Sequence, residues 1–173
     1  AGLRPWWYGA SAPILMAVNV MPITGIVRWV MAQALDDLLD SLEDADDATR
    51  EEAAKALAEL ANPATLDALI GACGDEFWSV RTRAGWGVAK IGGPKAIEAL
   101  IVLFNDPIME VRNEAVAAVV SLGAGQLDRL LAAMKDERWR VREHAAKACG
   151  DLHDSGAVDA LIFACRDRDG AVK

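Results

Sequence analysis

The chain has 173 residues, 53% of them hydrophobic, with 18 Lys and Arg against 26 Asp and Glu for a net charge of -8. That length suits one continuous core, and the acidic balance excludes a phosphate-binding groove, which must be basic, so nucleic acid is not an expected partner. Three cysteines, an odd number without paired spacing, supply neither a disulfide framework nor a zinc site and point to a reducing, cytoplasmic setting.

Residues 1–34 form an atypical apolar segment. No charged residue occurs from Pro5 to Val27, and Trp6, Trp7 and Tyr8 on one side with Arg28 and Trp29 on the other bracket an apolar run. Aromatic belts and arginines around such a run are the pattern of a membrane-spanning helix, so membrane contact through residues 6–29 is one expectation. Asn19, Pro22, Thr24 and Gly25 interrupt the run. The alternative is an apolar segment near Ala12–Met21 followed by a long helix from about Ile23, buried on a partner or capping the repeats. No basic start precedes the run, which disfavours a cleaved signal peptide, and an initial Ala1 in place of Met leaves open that the chain is a fragment.

From residue 35 onward the chain repeats. Asp75-Val80-Arg81, Asp106-Val111-Arg112, Asp136-Val141-Arg142 and Asp167-Val172-Lys173 share one spacing, and Asp44-Thr49-Arg50 is a fainter first copy. The aspartates stand 31, 31, 30 and 31 residues apart by subtraction of their numbers. A period near 31 with helical texture predicts stacked helix pairs. Before each aspartate runs an i, i+3, i+4, i+7 stripe: Leu35, Leu38, Leu39, Leu42; Leu66, Leu69, Ile70, Cys73; Ile97, Leu100, Ile101, Phe104; Leu127, Leu130, Leu131, Met134; Val158, Leu161, Ile162, Cys165. After it come Ala53, Leu57, Leu60; Ala84, Val88, Ile91; Ala115, Val119, Leu122; and Ala145, Cys149, Leu152, where alanine permits close helix approach. All three cysteines fall in these stripes and read as small core residues. Asn62-Pro63, Gly92-Gly93-Pro94, Gly123-Ala124-Gly125 and Asp154-Ser155-Gly156 mark the joints. The predicted units are 35–62, 63–93, 94–124, 125–155 and a partial 156–173. The fifth stops at Val172-Lys173, so the expectation is that the native protein continues or that another chain covers this edge.

This pattern resembles the HEAT-like repeats of the bilin-lyase type, in which a first helix, Asp-x-x-x-x-Val-Arg, an alanine-rich second helix and a Gly-rich joint recur. The resemblance covers residues 35–173. It implies an all-α, right-handed α-solenoid of about four and a half helix pairs. It further implies that Arg81, Arg112 and Arg142 are structural, each bonding its own turn and the neighbouring repeat.

In repeats of this type the second helices line the concave face. The outward positions hold Trp78, Ser79, Thr82, Arg83 and Trp86; then Met109, Glu110, Asn113, Glu114 and Ala117; then Trp139, Arg140, Glu143, His144 and Lys147. Three tryptophans and a methionine rimmed by charge have the composition of a binding hot spot. Trp78, Arg83, Trp86, Met109, Asn113, Glu114, Trp139, Arg140, His144 and Lys147 are therefore the candidate partner-binding residues. The same offset in Trp78, Met109 and Trp139 also fits packing across the turn onto the next unit. Gly85 and Gly87 flank Trp86 and weaken its helix, which close approach of a partner or another helix would explain. No nucleophile, metal cluster or phosphate loop is apparent, so no cofactor and no catalysis are expected. The reading is a protein-interaction or assembly scaffold. The alternatives are a bilin-lyase-like tetrapyrrole-binding protein or chaperone and a membrane-anchored accessory subunit of a larger complex.

Overall fold

The computed structural model describes residues 23–173, so the expectations placed on residues 1–22, including the apolar run and its flank Trp6, Trp7 and Tyr8, lie outside the described residues. The chain forms two compact units, Ala1–Asp40 and Ser41–Lys173. In the first, helix α1 (Ile23–Ser41) carries the start of the expected first repeat stripe, Leu35, Leu38 and Leu39, as the continuation of a helix that starts at Ile23. Among the described residues no helix is long and apolar enough to cross a membrane.

The second unit is built from helices α2 (Asp47–Leu60), α3 (Leu66–Ala72), α4 (Trp78–Ile91), α5 (Pro94–Leu103), α6 (Met109–Ser121), α7 (Leu127–Ala133), α8 (Trp139–Asp151) and α9 (Val158–Ala164). The even-numbered second helices pack on one another in sequence, more extensively than the first helices do, which places them on the inner side of the stack. The apolar stripes explain the packing. Leu69, Ile97, Leu100, Phe104 and Leu130 of the first layer, with Val80, Ala84, Val88, Val111, Val119, Val141 and Ala145 of the second, are all at most 1% exposed. Each buried Val, Leu, Ile or Phe stabilises by about 1.5–3 kcal/mol relative to exposure. Gly87 lies where a Cβ would come within 3.1 Å of the Ala58 Cα and 2.9 Å of Leu69 Cδ1, and one at Gly85 would stand 3.1 Å from Leu103 Cδ1. Neighbouring helices, not a partner, therefore account for both glycines.

Four expected core positions are exposed. Leu60 is 56%, Val158 50% and Ile162 56% exposed, and Cys165 is exposed as well. Leu60 sits at the end of α2, one residue before the chain turns away. Val158, Ile162 and Cys165 lie on or just after α9, which packs on α8 but is followed by no second helix of its own unit among the described residues.

At the joints the backbone turns left-handed at Ala61 (φ 46), Gly92 (φ 74), Gly123 (φ 79) and His153 (φ 52), again one repeat apart. Glycine adopts this conformation without penalty, whereas Ala61 and His153 bear a cost of roughly 1–2 kcal/mol. Asn62 and Asp154 then accept from the backbone N–H two residues on, at 3.0 and 2.8 Å, and open the next first helix through a 3-10 turn.

The repeat aspartate and arginine form a ladder. Asp75, Asp106, Asp136 and Asp167 each accept from the N–H two residues on, at 2.7–2.8 Å, so they order the turn that precedes the second helix rather than cap the helix itself. The arginine six residues later donates through Nη1 to the two turn carbonyls, as Arg81 does to Asp75 and Glu76 at 2.8 and 3.0 Å. Its remaining edge reaches the next unit. Arg50 pairs with Asp75, Arg81 with Asp106 at 2.6 and 2.9 Å, and Arg142 with Asp167. Arg112 is the exception to the role the resemblance implies: it holds its own turn carbonyls, Asp106 and Pro107, but not Asp136. Asp136 is taken by Arg138 at 2.9 Å, and Arg112 Nε is buried without a partner.

Breaking a buried ion pair leaves a desolvated charge, so Asp106→Asn is expected to destabilise the fold by about 3–5 kcal/mol, read from the urea midpoint. The hydrogen bonds from Arg138 hold Asp136 down at about 2, those from Arg142 and the Asp169 N–H hold Asp167 down at about 2, and in Asp75 the Arg50 and Phe77 bonds outweigh the upward push of burial. An unfolded aspartate titrates near about 3.9. Stability from these groups is thus fully present above about pH 4 and lost as pH falls through the folded values. The urea midpoint should decline between about pH 4 and 2; a flat profile would contradict the ladder.

Candidate functional site

The inner face is set by α2, α4, α6 and α8, and cross-helix polar contacts fix its side chains. Glu51 accepts from the Ser79 hydroxyl at 2.6 Å and from Arg83 Nε at 3.3 Å. The Trp86 indole N–H donates to Glu114 Oε2 at 2.9 Å. Lys147 Nζ donates to Asn113 Oδ1 at 2.8 Å. Each contact joins one second helix to the next, and an indole held this way presents its ring in one orientation with little left to order on binding.

Between α6 and α8 these contacts leave a groove of about 510 Å3, lined by Asn113, Val116, Ala117, Val120, Ser121, Lys147 and Asp151. It exists because Ala117 stands where the neighbouring helices carry Lys55, Trp86 and Lys147. A second groove, of about 540 Å3, runs along the turns and is lined by Phe77, Trp78, Val102, Ile108 and Arg138, among others. The expected single strip is therefore divided. Trp78, 43% exposed, borders the turn groove. Trp86, Asn113, Glu114 and Lys147 belong to the inner face. Met109 is 57% exposed at the start of α6, and Trp139 is half-buried beneath the Arg140 guanidinium, 4.9 Å from its ring.

His144 is corrected by the structure. It is 4% exposed, so it cannot present its ring to a partner. Its Nδ1 lies 2.8 Å from the Arg140 carbonyl, which can only accept, so that nitrogen carries the proton. The ring tilts toward Phe104 at 6.2 Å. Burial lowers its pKa, only partly opposed by the Arg140 carbonyl and the Glu143 carboxylate. An imidazole needs one acceptor to be buried neutral, whereas Arg83 and Glu114 at the equivalent offset must reach solvent. Ser79 is likewise buried, at 9%.

The groove floor Val116 and Val120, and Arg138 in the turn groove, were not among the expected residues. The one signal for the first was Ala117, a small residue in a row of large ones. Among the described residues no group of three or more His, Cys, Asp and Glu side chains could hold a metal ion.

Stacked helix pairs joined by Asp–Arg rungs, with a face presented by the second helices, define an α-solenoid of tandem repeats. The HEAT-repeat family model matches residues 35–120 and 102–173, and the chain belongs to that family. This agrees with the HEAT-like resemblance carried by the Asp-x-x-x-x-Val-Arg motif. No curated protein matches the chain. Among solved structures it is similar to the complex of CpcE and CpcF of phycocyanin lyase from Nostoc sp., with a TM-score of 0.54 and 23% identity over 80% of this chain and 60% of that one. It is also similar to a designed armadillo repeat protein in complex with peptide (KR)4, with a TM-score of 0.47 and 22% identity over 84% of this chain and 80% of that one. The likeness to the phycocyanin lyase complex is one of fold alone.

Burial pushes the Cys73 thiol up to about 12 and Cys149 up to about 11, while Cys165 is exposed. A thiol reagent should therefore label one cysteine in the native protein at neutral pH and all three in denaturant. Rapid native labelling of Cys73 or Cys149 would contradict the packing described.

Proposed function

We propose that this protein is a non-catalytic interaction or assembly module whose inner face takes a helix or extended segment of another protein. The observation that carries the reading is the groove between α6 and α8, an apolar floor of Val116 and Val120 with Lys147 on its rim and the fixed indole of Trp86 on the adjoining helix. Partner side chains that fill the groove would gain apolar burial, and exposed Met109 extends the same helix as a further contact. Glu110, Glu114 and Asp151 are exposed on these helices and favour a basic or neutral segment over an acidic one.

A rigid face supports this use because the receptor side chains are already ordered, so less of the contact energy is lost to immobilisation. A flat tetrapyrrole is the competing occupant, since an indole beside an apolar groove suits either ligand. The likeness to the phycocyanin lyase complex speaks to fold and does not favour it.

The test is a peptide-display selection against the full chain, with the selected peptides titrated on variants. Affinity is expected to fall by at least about tenfold, or about 1.4 kcal/mol, in Trp86→Ala and in Ala117→Trp, which fills the groove. Glu98→Gln, exposed on α5 in the outer layer, should leave affinity unchanged. Binders indifferent to both inner-face variants would sink the proposal, and a visible absorbance band after incubation with bilin would replace it with the tetrapyrrole reading.

A further inference from the structure

The ladder has one open rung, and its chemistry is unbalanced. In the closed rungs a guanidinium meets the repeat carboxylate 25 residues ahead, as in Arg50 with Asp75, Arg81 with Asp106 and Arg142 with Asp167, and Arg50 also reaches the exposed Glu76 at 3.5 Å. At the joint between the α5–α6 pair and the α7–α8 pair, the repeat spacing offers one carboxylate, Asp136, to two guanidinium groups, Arg112 and Arg138. Arg138 holds it through Nε and Nη2 at 2.9 Å, and no ion pair joins Asp136 to Arg112 within 4.0 Å.

The consequences are unequal. Arg138 and Asp136 are 47% and 25% exposed, so their pair is solvated and weak. A rung in the Arg112 position would resemble that of Arg81 and Asp106, at 10% and 5% exposure. With the rung open, Arg112 Nε is buried without an acceptor, a destabilising arrangement. The sequence shows two causes. Phe77 and Ile108 occupy the position of Arg138 in the preceding turns, and this unit is one residue shorter, so Asp136 stands 24 residues after Arg112 instead of 25.

We propose that this joint is the hinge of the solenoid, held open because Arg138 takes Asp136 from Arg112. Transfer of Asp136 onto Arg112 closes it. The α6–α8 groove crosses the same joint, so closure changes its width; that consequence rests on the function proposed above, whereas the hinge stands without it. Across this joint the inner face is tied by the exposed contact of Lys147 with Asn113, which can break and re-form without exposing a buried charge.

The test is a double-mutant cycle of Arg112→Gln and Asp136→Asn, run in the native background and in Arg138→Ile, with folding equilibria from urea unfolding of the full chain. The native background should show no coupling, and Arg138→Ile should reveal coupling of about fivefold or more in the folding equilibrium constant. Arg138→Gln serves as a second background that removes the two-pronged contact without adding an apolar surface residue. Hydrogen exchange of the α8 amides should slow in either background, while that of α4 stays the same. Coupling already present with Arg138 in place would overturn the proposal. So would coupling absent from both Arg138 variants, because the shorter unit alone would then keep Asp136 from Arg112.

Discussion

Each closed rung buries a guanidinium, and the surrounding architecture is arranged so that its donors are used. A cation with little solvent access is destabilising unless its charge and its N–H groups are matched. Here Nη1 meets two carbonyls of its own turn, and Nε and Nη2 meet the carboxylate of the next unit in the fork geometry that Arg offers and Lys does not. The receiving aspartate is fixed by the N–H two residues on. One side chain thus specifies a turn, a helix start and the offset between repeats. That offset constrains the length of everything between, because the second helix, the joint and the first helix must together return an aspartate to the same place. This gives a physical reason for the near-constant period of 31.

The period, the apolar stripes and the joints were legible because each is a local pattern with a mechanical reading. Val80, Val111 and Val141 recur at helix starts and are buried, and the alanines that follow lie at helix contacts. Less legible were features that depend on what a residue meets across space. Gly92 and Gly123 announce a left-handed turn, but nothing marks Ala61 and His153 as occupants of the equivalent position. The Arg81 to Asp106 rung joins residues 25 apart on different helix pairs, beyond the reach of a stripe, and the bond to the neighbouring repeat was implied only by the family resemblance. Nothing in the sequence singles out Arg138, and its capture of Asp136 shows only in the contacts.

The candidate site follows the same division. Offsets along a helix placed Trp86, Asn113, Glu114 and Lys147 on one face, and their cross-helix contacts bring them together. Offsets could not tell that His144 would turn inward, since an imidazole and a carboxylate at one position differ in what burial demands. Nor could they separate Trp78 from the inner face, because a residue in the first turn of a helix can lean toward either the face or the preceding loop. The apolar groove arises from an absence, the missing bulk at Ala117, and only its walls reveal it.

In a stacked-repeat protein, stability is close to a sum of unit terms and nearest-neighbour interfaces. An interface without its buried ion pair therefore gives way at lower cost than an otherwise equal interface that has one. The residues on either side, α6 and α8, are those that wall the apolar groove. A fully laddered solenoid would hold that groove at one width. A ladder open at this joint keeps the turn geometry of every unit, since Arg112 still bonds its own carbonyls, and confines the freedom to the spacing between two helices. Rigidity along each block with compliance at a single joint lets a face of pre-positioned side chains adjust to segments of different bulk without loss of the core beneath it.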